Sequence, residues 1–350
     1  MSSQNKSKRW FPPEWHEQSA VMLTWPHAHS DWASILHQVE PVFTEICFYV
    51  SLHEKVVIVA CDRDHLEHVQ QLLRQRGVDL EQVRLYIHQG NDTWARDHGP
   101  ITVFENQKPL LMDFVFNGWG NKFPADRDNE ISRALLTQDA FDDLQMHSVN
   151  FVLEGGGIET DGNGTLLTTS RCLLAHSRNP SLTYHQIEAM LSTHLGVDRF
   201  LWLDHGELAG DDTDSHIDTL ARFCDPDTIA YCYCDDETDQ HFAELQRMEQ
   251  QLQTFRTRSN QPYRLVRLPL PAAKYDEQRQ RLPATYANFL IINDAVLVPT
   301  YQDPADEKAL QILQQCFPDR DIIGIDCSPL IRQYGSLHCV TMQLPVGVIS

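Results

Sequence analysis

A few side chains in this 350-residue sequence could carry out a nucleophilic substitution, and each sits in a polar or glycine-rich stretch. Asp97 lies in "NDTWARDHGP", Glu154 in "LEGGGIET", His216 and Asp218 in "GDDTDSHIDTLARF", and Cys339 in "YGSLHCVT". Each has a plain structural reading. Asp97 could pair with Arg96, and Glu154 could be a turn carboxylate. His216 and Asp218 could bond to each other on one face of a strand, and Cys339 could be a packed hydrophobe. Taken together they suit one chemistry. A guanidinium is a planar cation with five N–H donors, matched by carboxylates that accept bidentate bonds. Its central carbon is a poor electrophile, so attack calls for a thiolate, and a histidine can protonate the departing ammonia and then activate water.

Residues so far apart need a fold that brings them together, and the sequence has a period that does so. Turn signals recur at Asn106-Gln107-Lys108, Asp161-Gly162-Asn163-Gly164, Asp225-Pro226-Asp227 and Asn293-Asp294, each between apolar strand candidates. Centred on 107, 162, 226 and 293, they are 55, 64 and 67 residues apart. A helical pattern and a further strand follow the later three turns: Thr183–Leu195 and Arg199–Leu203, Asp239–Phe255 and Arg264–Leu270, Pro304–Cys316 and Asp321–Ile325. Ahead of these, Lys55–Ala60, Asp64–Arg76 and Val83–Gln89 read as strand, helix and strand.

The unit is hairpin, helix, strand, repeated about five times in one closed α/β domain spanning residues 1–350. The chemical residues fall at one phase of this period. Positions 97, 154, 216 and 339 are separated by 57, 62 and 123, which is one unit, one unit and two. Units arranged about an axis would gather these positions there, with Cys339 opening the last strand.

Composition narrows the classes. Hydrophobic residues make up 42% and charged residues 22%, as in a soluble globular protein, and no apolar run is long enough to span a membrane. The net charge of −21 argues against nucleic acid or an anionic membrane as partner and suits a small cationic substrate. Nine scattered cysteines and no export signal read as reduced thiols in the cytoplasm, and a homo-oligomer is compatible with the sequence.

These stretches, with "FPPEWHEQSAVMLTWP", "YANFLIINDAVLVPTYQDPADEKAL" and "GSLHCVTMQLP", resemble the agmatine deiminases of the Porphyromonas-type peptidyl-arginine deiminase family over nearly the whole chain. The resemblance implies a pentein fold, an α/β propeller of five ββαβ modules about a pseudo-fivefold axis. It implies hydrolysis of agmatine to N-carbamoylputrescine and ammonia, a step of putrescine biosynthesis, with no metal or organic cofactor. Position by position, Cys339 is similar to the family's nucleophile, His216 to its general acid and base, and Asp97 and Asp218 to the pair that clasps the guanidinium. Glu154 is implied to touch both His216 and the substrate, Trp94 to pack along the methylene chain, and Asp212 to receive the distal ammonium.

One departure stands out. Ser336-Leu337-His338-Cys339 replaces the more usual Asn-Ile-His-Cys ending. Rival readings are a deiminase of arginine or peptidyl-arginine, a zinc enzyme using His216, Asp218, Glu154 and Cys339 with His338, Cys232 or Cys234, and a guanidine binder without turnover.

Overall fold

The computed structural model describes residues 9–350, which form five small sheets with helices between their strands. Three sheets follow one plan. Ile158–Thr160 and Thr165–Thr169 make an antiparallel hairpin, helix Tyr184–Leu195 crosses over, and Arg199–Leu203 returns parallel to the second hairpin strand. Ala221–Asp225, Thr228–Cys232, helix Phe242–Thr254 and Arg264–Leu268 repeat it. So do Leu290–Ile292, Ala295–Thr300, helix Ala305–Cys316 and Asp321–Asp326. A fourth sheet joins hairpin Ile101–Glu105 and Lys108–Val115 to a parallel Met146–Val152, with Arg9–Trp10 on the outer edge.

The remaining sheet explains why five modules show only four hairpin turns. Gln18–Thr24 pairs parallel with Lys55–Ala60, and Lys55–Ala60 pairs parallel with Val83–Ile87, across helices Leu36–Ser51 and Arg63–Arg76. Its antiparallel partner is Met342–Pro345, close to the other end of the chain. The hairpin of this module is therefore split between the two termini, and its pairing closes the ring. This is the pentein fold.

The local chemistry accounts for the repeats. At Asp161–Gly164 the Asp161 carboxylate accepts from the backbone N–H of Asn163 and Thr165, while Gly162 and Gly164 take φ of +71° and +86°. Helix Tyr184–Leu195 starts on a Thr183/Gln186 capping box and ends at left-handed Gly196. It buries Ile187, Leu191 and Leu195 at four-residue spacing, and Phe242–Thr254 buries Leu245, Met248 and Leu252 at spacings of three and four. Each such side chain contributes roughly 1.5–3 kcal/mol. Strands Thr165–Thr169 and Thr228–Cys232 are buried at every residue, as central strands covered on both faces should be. No helix among the described residues is long and apolar enough to cross a membrane.

Candidate active site

Every module delivers a polar residue just ahead of its hairpin. Asp97 sits in the short helix Ala95–His98, Glu154 precedes the turn Gly155–Gly157, and His216 and Asp218 flank and enter the turn Ile217–Thr219. Asn288 precedes strand Leu290–Ile292, and Cys339 lies in a turn ahead of Met342–Pro345. Two expectations are corrected here. Cys339 does not open a strand, and His216 and Asp218 are not on one. Tight turns hold all three, and they aim side chains more freely than a two-residue strand period allows. Asp97, His216, Asp218 and Cys339 line one cleft of about 480 Å³, together with Trp94, Trp119 and Asp212.

Asp97 is fixed on both oxygens. Oδ2 accepts from Trp119 Nε1 at 2.9 Å and Oδ1 from the Gly156 N–H at 3.0 Å, while His216 Nδ1 stands 3.6 Å from Oδ1. Arg96 is not its partner; that guanidinium turns away to Glu14, 3.4 Å distant, and to Gln343. Gly156 is obligatory for space, because a Cβ there would come within 2.6 Å of His216 Nδ1, 2.9 Å of Asp97 Oδ1 and 3.1 Å of Asp218 Oδ2. Asp218 Oδ2 accepts from His338 Nδ1 at 2.8 Å and lies 3.8 Å from Cys339 Sγ. Its Oδ1 is buried with no partner among the described residues, free for a ligand.

The backbone is held in unusual conformations around these groups. Asp214 and Ser215, immediately before His216, take φ of +66° and +65°, and Gly118, Trp119 and Gly120 take +65°, +54° and +88° in succession. A tryptophan in the left-handed region is uncommon, and here the conformation delivers its indole N–H to Asp97.

Electrostatics set the resting state. Burial pushes the Cys339 thiol well above its ordinary value, and Asp218 and Asp97 push it further. Burial opposes charge on His216, yet Asp97, Cys172 and Glu154 hold its pKa well above the ordinary histidine value. Burial raises Asp97 against the pull of His216. Asp218 is lowered despite burial, chiefly by His338. The unliganded site therefore pairs a neutral thiol with an imidazolium, and a bound cation between the carboxylates would favour the thiolate.

The match to the family model for Porphyromonas-type peptidyl-arginine deiminase covers residues 10–345. The chain belongs to this family. It is 31% identical to an agmatine deiminase of Stutzerimonas stutzeri, over 97% of this chain and 96% of that protein. Its fold matches a substrate-bound Cys-to-Ser variant of Campylobacter jejuni agmatine deiminase at TM-score 0.90 and 38% identity, covering 99% and 98% of the two chains. It also matches a presumptive arginine deiminase of Porphyromonas gingivalis at TM-score 0.92 and 50% identity, covering 98% and 100%.

Glu154 stands near His216 without a hydrogen bond to it among the described residues. Its carboxylate lies within 4.8 Å of a His216 ring nitrogen, but it does not line the cleft. Both of its oxygens accept from Arg178 Nε, at 3.0 and 2.9 Å, and Arg178 continues to Asp214 at 2.7 Å. The same arrangement weighs against the zinc reading. The acid–thiol–imidazole group present is Glu154, Cys172 and His216, and its carboxylate already neutralises a guanidinium.

Trp94 is buried in the cleft wall with Nε1 bonded to Asp92 Oδ2 at 2.9 Å, and Asp212 lines the cleft with its carboxyl pushed up to about 7 by burial and by Asp211. Ser336, one of the unusual residues, is buried with its hydroxyl 2.9 Å from that of Tyr301, and Leu337 is buried beside it.

Sequence reasoning missed Asn288, Trp119 and Arg178. Asn288 Oδ1 accepts from the His338 N–H at 2.9 Å and lies 3.4 Å from both the Cys339 N–H and its Sγ, while Nδ2 donates to the Asp218 carbonyl. A signal for it existed: the two-unit interval between His216 and Cys339 leaves one module without an axial residue, and Asn288 fills it. For Trp119 the signal is an aromatic between two glycines. Arg178 lies outside the period and left none.

Proposed function

We propose that this chain hydrolyses agmatine to N-carbamoylputrescine and ammonia through a covalent intermediate on Cys339. The observation that carries this reading is the composition of the cleft. It holds a thiol, an imidazole and two carboxylates near one another, and among the described lining residues there is no arginine or lysine. Agmatine is a dication, and Asp31, Asp92 and Asp212 add further carboxylates to the same wall. Arginine would bring an α-carboxylate, and the cation beside this wall, Lys122, is already engaged by the Asp212 carbonyl and the Asp214 carboxylate. Arg96, the cation nearest in sequence, is buried in a separate cleft with Glu14.

The guanidinium lies between Asp97 and Asp218, donating to the free Oδ1 of Asp218. Its charge offsets theirs, and the thiol of Cys339 gives up its proton. The thiolate adds to the central carbon, the His216 imidazolium protonates one amino group, and the carbon–nitrogen bond breaks to release ammonia. A thiouronium remains on Cys339. Neutral His216 then takes a proton from water, the hydroxide adds to the same carbon, and the carbon–sulfur bond breaks to free the ureido product. The O–H proton of the ureido product returns to the Cys339 thiolate, and the proton the thiol first gave up passes through water to the ammonia, which leaves as ammonium. Glu154 acts through His216, supporting its charge from behind. All nine cysteines are unpaired thiols, which supports a reducing, cytoplasmic setting.

The test is ammonia release from agmatine, arginine and a blocked arginine peptide at matched concentrations. A preference for either arginine compound overturns the substrate. Cys339→Ala, which keeps the fold, is expected to abolish turnover, and near-normal activity would overturn the mechanism.

A further inference from the structure

His338, adjacent to the nucleophile, faces away from it. Cys339 lines the cleft with His216 and Asp218, while His338 lines a separate cleft with Glu14, Arg96 and Glu159. The imidazole is buried and both of its nitrogens meet carboxylates: Nδ1 is 2.8 Å from Asp218 Oδ2, and Nε2 is 2.7 Å from Glu14 Oε2. A neutral imidazole has one donor and one acceptor, and an ionised carboxylate only accepts. Either one carboxyl carries a proton or the ring carries two.

The surroundings decide it. Glu14 accepts the Ile291 N–H at 2.8 Å on one oxygen, and its other oxygen stands 2.9 Å from Arg222 Nη2 and 3.4 Å from Arg96 Nη2. Two guanidiniums on that one oxygen keep the Glu14 carboxyl ionised. Asp218 Oδ2 takes the other ring nitrogen at 2.8 Å. Arg222 also pairs with Glu159. With both carboxyls ionised neither can donate to the ring, so each contact is made by a ring N–H. Asp218 meanwhile has one oxygen taken by His338 and the other unpartnered on the cleft side.

We propose that His338 is a positioning residue for the deimination: its imidazolium, clamped between Glu14 and Asp218, holds Oδ2 of Asp218 back and presents Oδ1 to the guanidinium. This rests on the reading of the cleft as a guanidine site. The histidine before Cys339 therefore orients the substrate-binding carboxylate of Asp218 and does not itself exchange protons with substrate. Asn288 reinforces the arrangement by taking the His338 and Cys339 N–H groups on one oxygen and bonding the Asp218 carbonyl through its amide.

Two measurements test it. In protein labelled with 15N in the histidine rings, the resonances missing from His338→Asn belong to His338, and both nitrogens are expected to be protonated at pH 7.5. An unprotonated His338 nitrogen overturns the proposal, and native enzyme suffices to observe it. In kinetics, His338→Gln keeps a donor toward Glu14 but loses the one toward Asp218, whereas His338→Asn keeps a donor at the Nδ1 position. His338→Gln is expected to raise KM for agmatine roughly 10- to 100-fold, more than it lowers kcat, and His338→Asn to recover most of that loss. Equal loss in both variants, or a His338→Gln enzyme within twofold of wild type, overturns it. If wild type prefers arginine, the agmatine reading fails, while the ratio of the two variants on the preferred guanidine still tests His338. If no guanidine is turned over, the ring nitrogens alone decide.

Discussion

Gly335→Ala is expected to cripple the enzyme through a tryptophan. A Cβ at Gly335 would lie 2.1 Å from Cζ3, 2.5 Å from Cη2 and 3.0 Å from Cε3 of Trp94, where ordinary contact begins at 3.4 Å. The gap must open by about 1.3 Å, the difference between 3.4 and 2.1 Å. The indole has nowhere to retreat. Its Nε1 is bonded to Asp92 at 2.9 Å, Trp32 packs at 5.6 Å between ring centroids, and Trp119 closes the other side at 6.3 Å. The loop is also held, by the left-handed Tyr334 before it and by the Ser336–Tyr301 bond after it. Either the ring enters the cleft or the turn carrying Cys339 moves. A displacement of about 1 Å at a positioned site costs roughly 10²-fold in rate, and overpacking costs about 1–3 kcal/mol of stability. Initial rates of ammonia release should show a loss near 10²-fold in kcat/KM, with thermal melts confirming a folded protein. Trp94→Phe removes the clashing atoms, so Gly335→Ala added to Trp94→Phe should cost little more than Trp94→Phe alone. A Gly335→Ala enzyme within threefold of wild type, or fully additive losses in the double variant, would refute the reasoning.

The raised Cys339 thiol predicts that alkylation by iodoacetamide in substrate-free enzyme keeps accelerating from pH 7 to pH 9; a plateau below pH 8 contradicts it. Asp212, at about 7, is ionised above that pH and neutral below it, so the KM for agmatine should fall between pH 6 and pH 8. Asp212→Asn should flatten that profile at a KM roughly fivefold higher, and an unchanged profile would remove Asp212 from the site. Glu54 is buried at the split-hairpin sheet and pushed up to about 8 from 4.5, mainly by burial. A carboxyl raised on folding favours the native state most fully below pH 4.5, and that contribution is lost as pH rises to about 8. The unfolding free energy of Glu54→Gln should therefore rise relative to wild type between pH 5 and pH 9, by on the order of 1–5 kcal/mol, and a pH-independent difference would refute the assignment.

The period of the fold was legible because each module closes its own hairpin with local turn chemistry, and Asp161–Gly164 needs nothing beyond its own residues to turn. The exception is physical as well. The hairpin of Gln18–Thr24 and Met342–Pro345 has no turn, so no local signal marks a pairing between strands more than 300 residues apart. Helix Leu36–Ser51 is similarly quiet, since Pro41 removes a backbone donor inside it and only the buried stripe of Val39, Val42, Phe43, Ile46 and Val50 sustains the turn pattern.

The site divides along the same line. Asp97, Glu154, His216 and Cys339 share a phase, and phase can be counted. The residues that hold them follow no count, because Arg178, Glu14 and His338 are recruited by unsatisfied charge once the ring has closed. Glu154 illustrates the difference. Its position at the axis follows from the period, but its contact is set by Arg178, a neighbour that arrives from a loop after the Thr165–Thr169 strand. The same holds for the pair at the end of the chain. Cys339 is marked by being one phase position among several, whereas His338 acquires its role only because residue 338 faces the Glu14 that the N-terminal segment brings to the far side of the turn. Where a charge must be met across modules, the sequence specifies the demand and the closed ring supplies the partner.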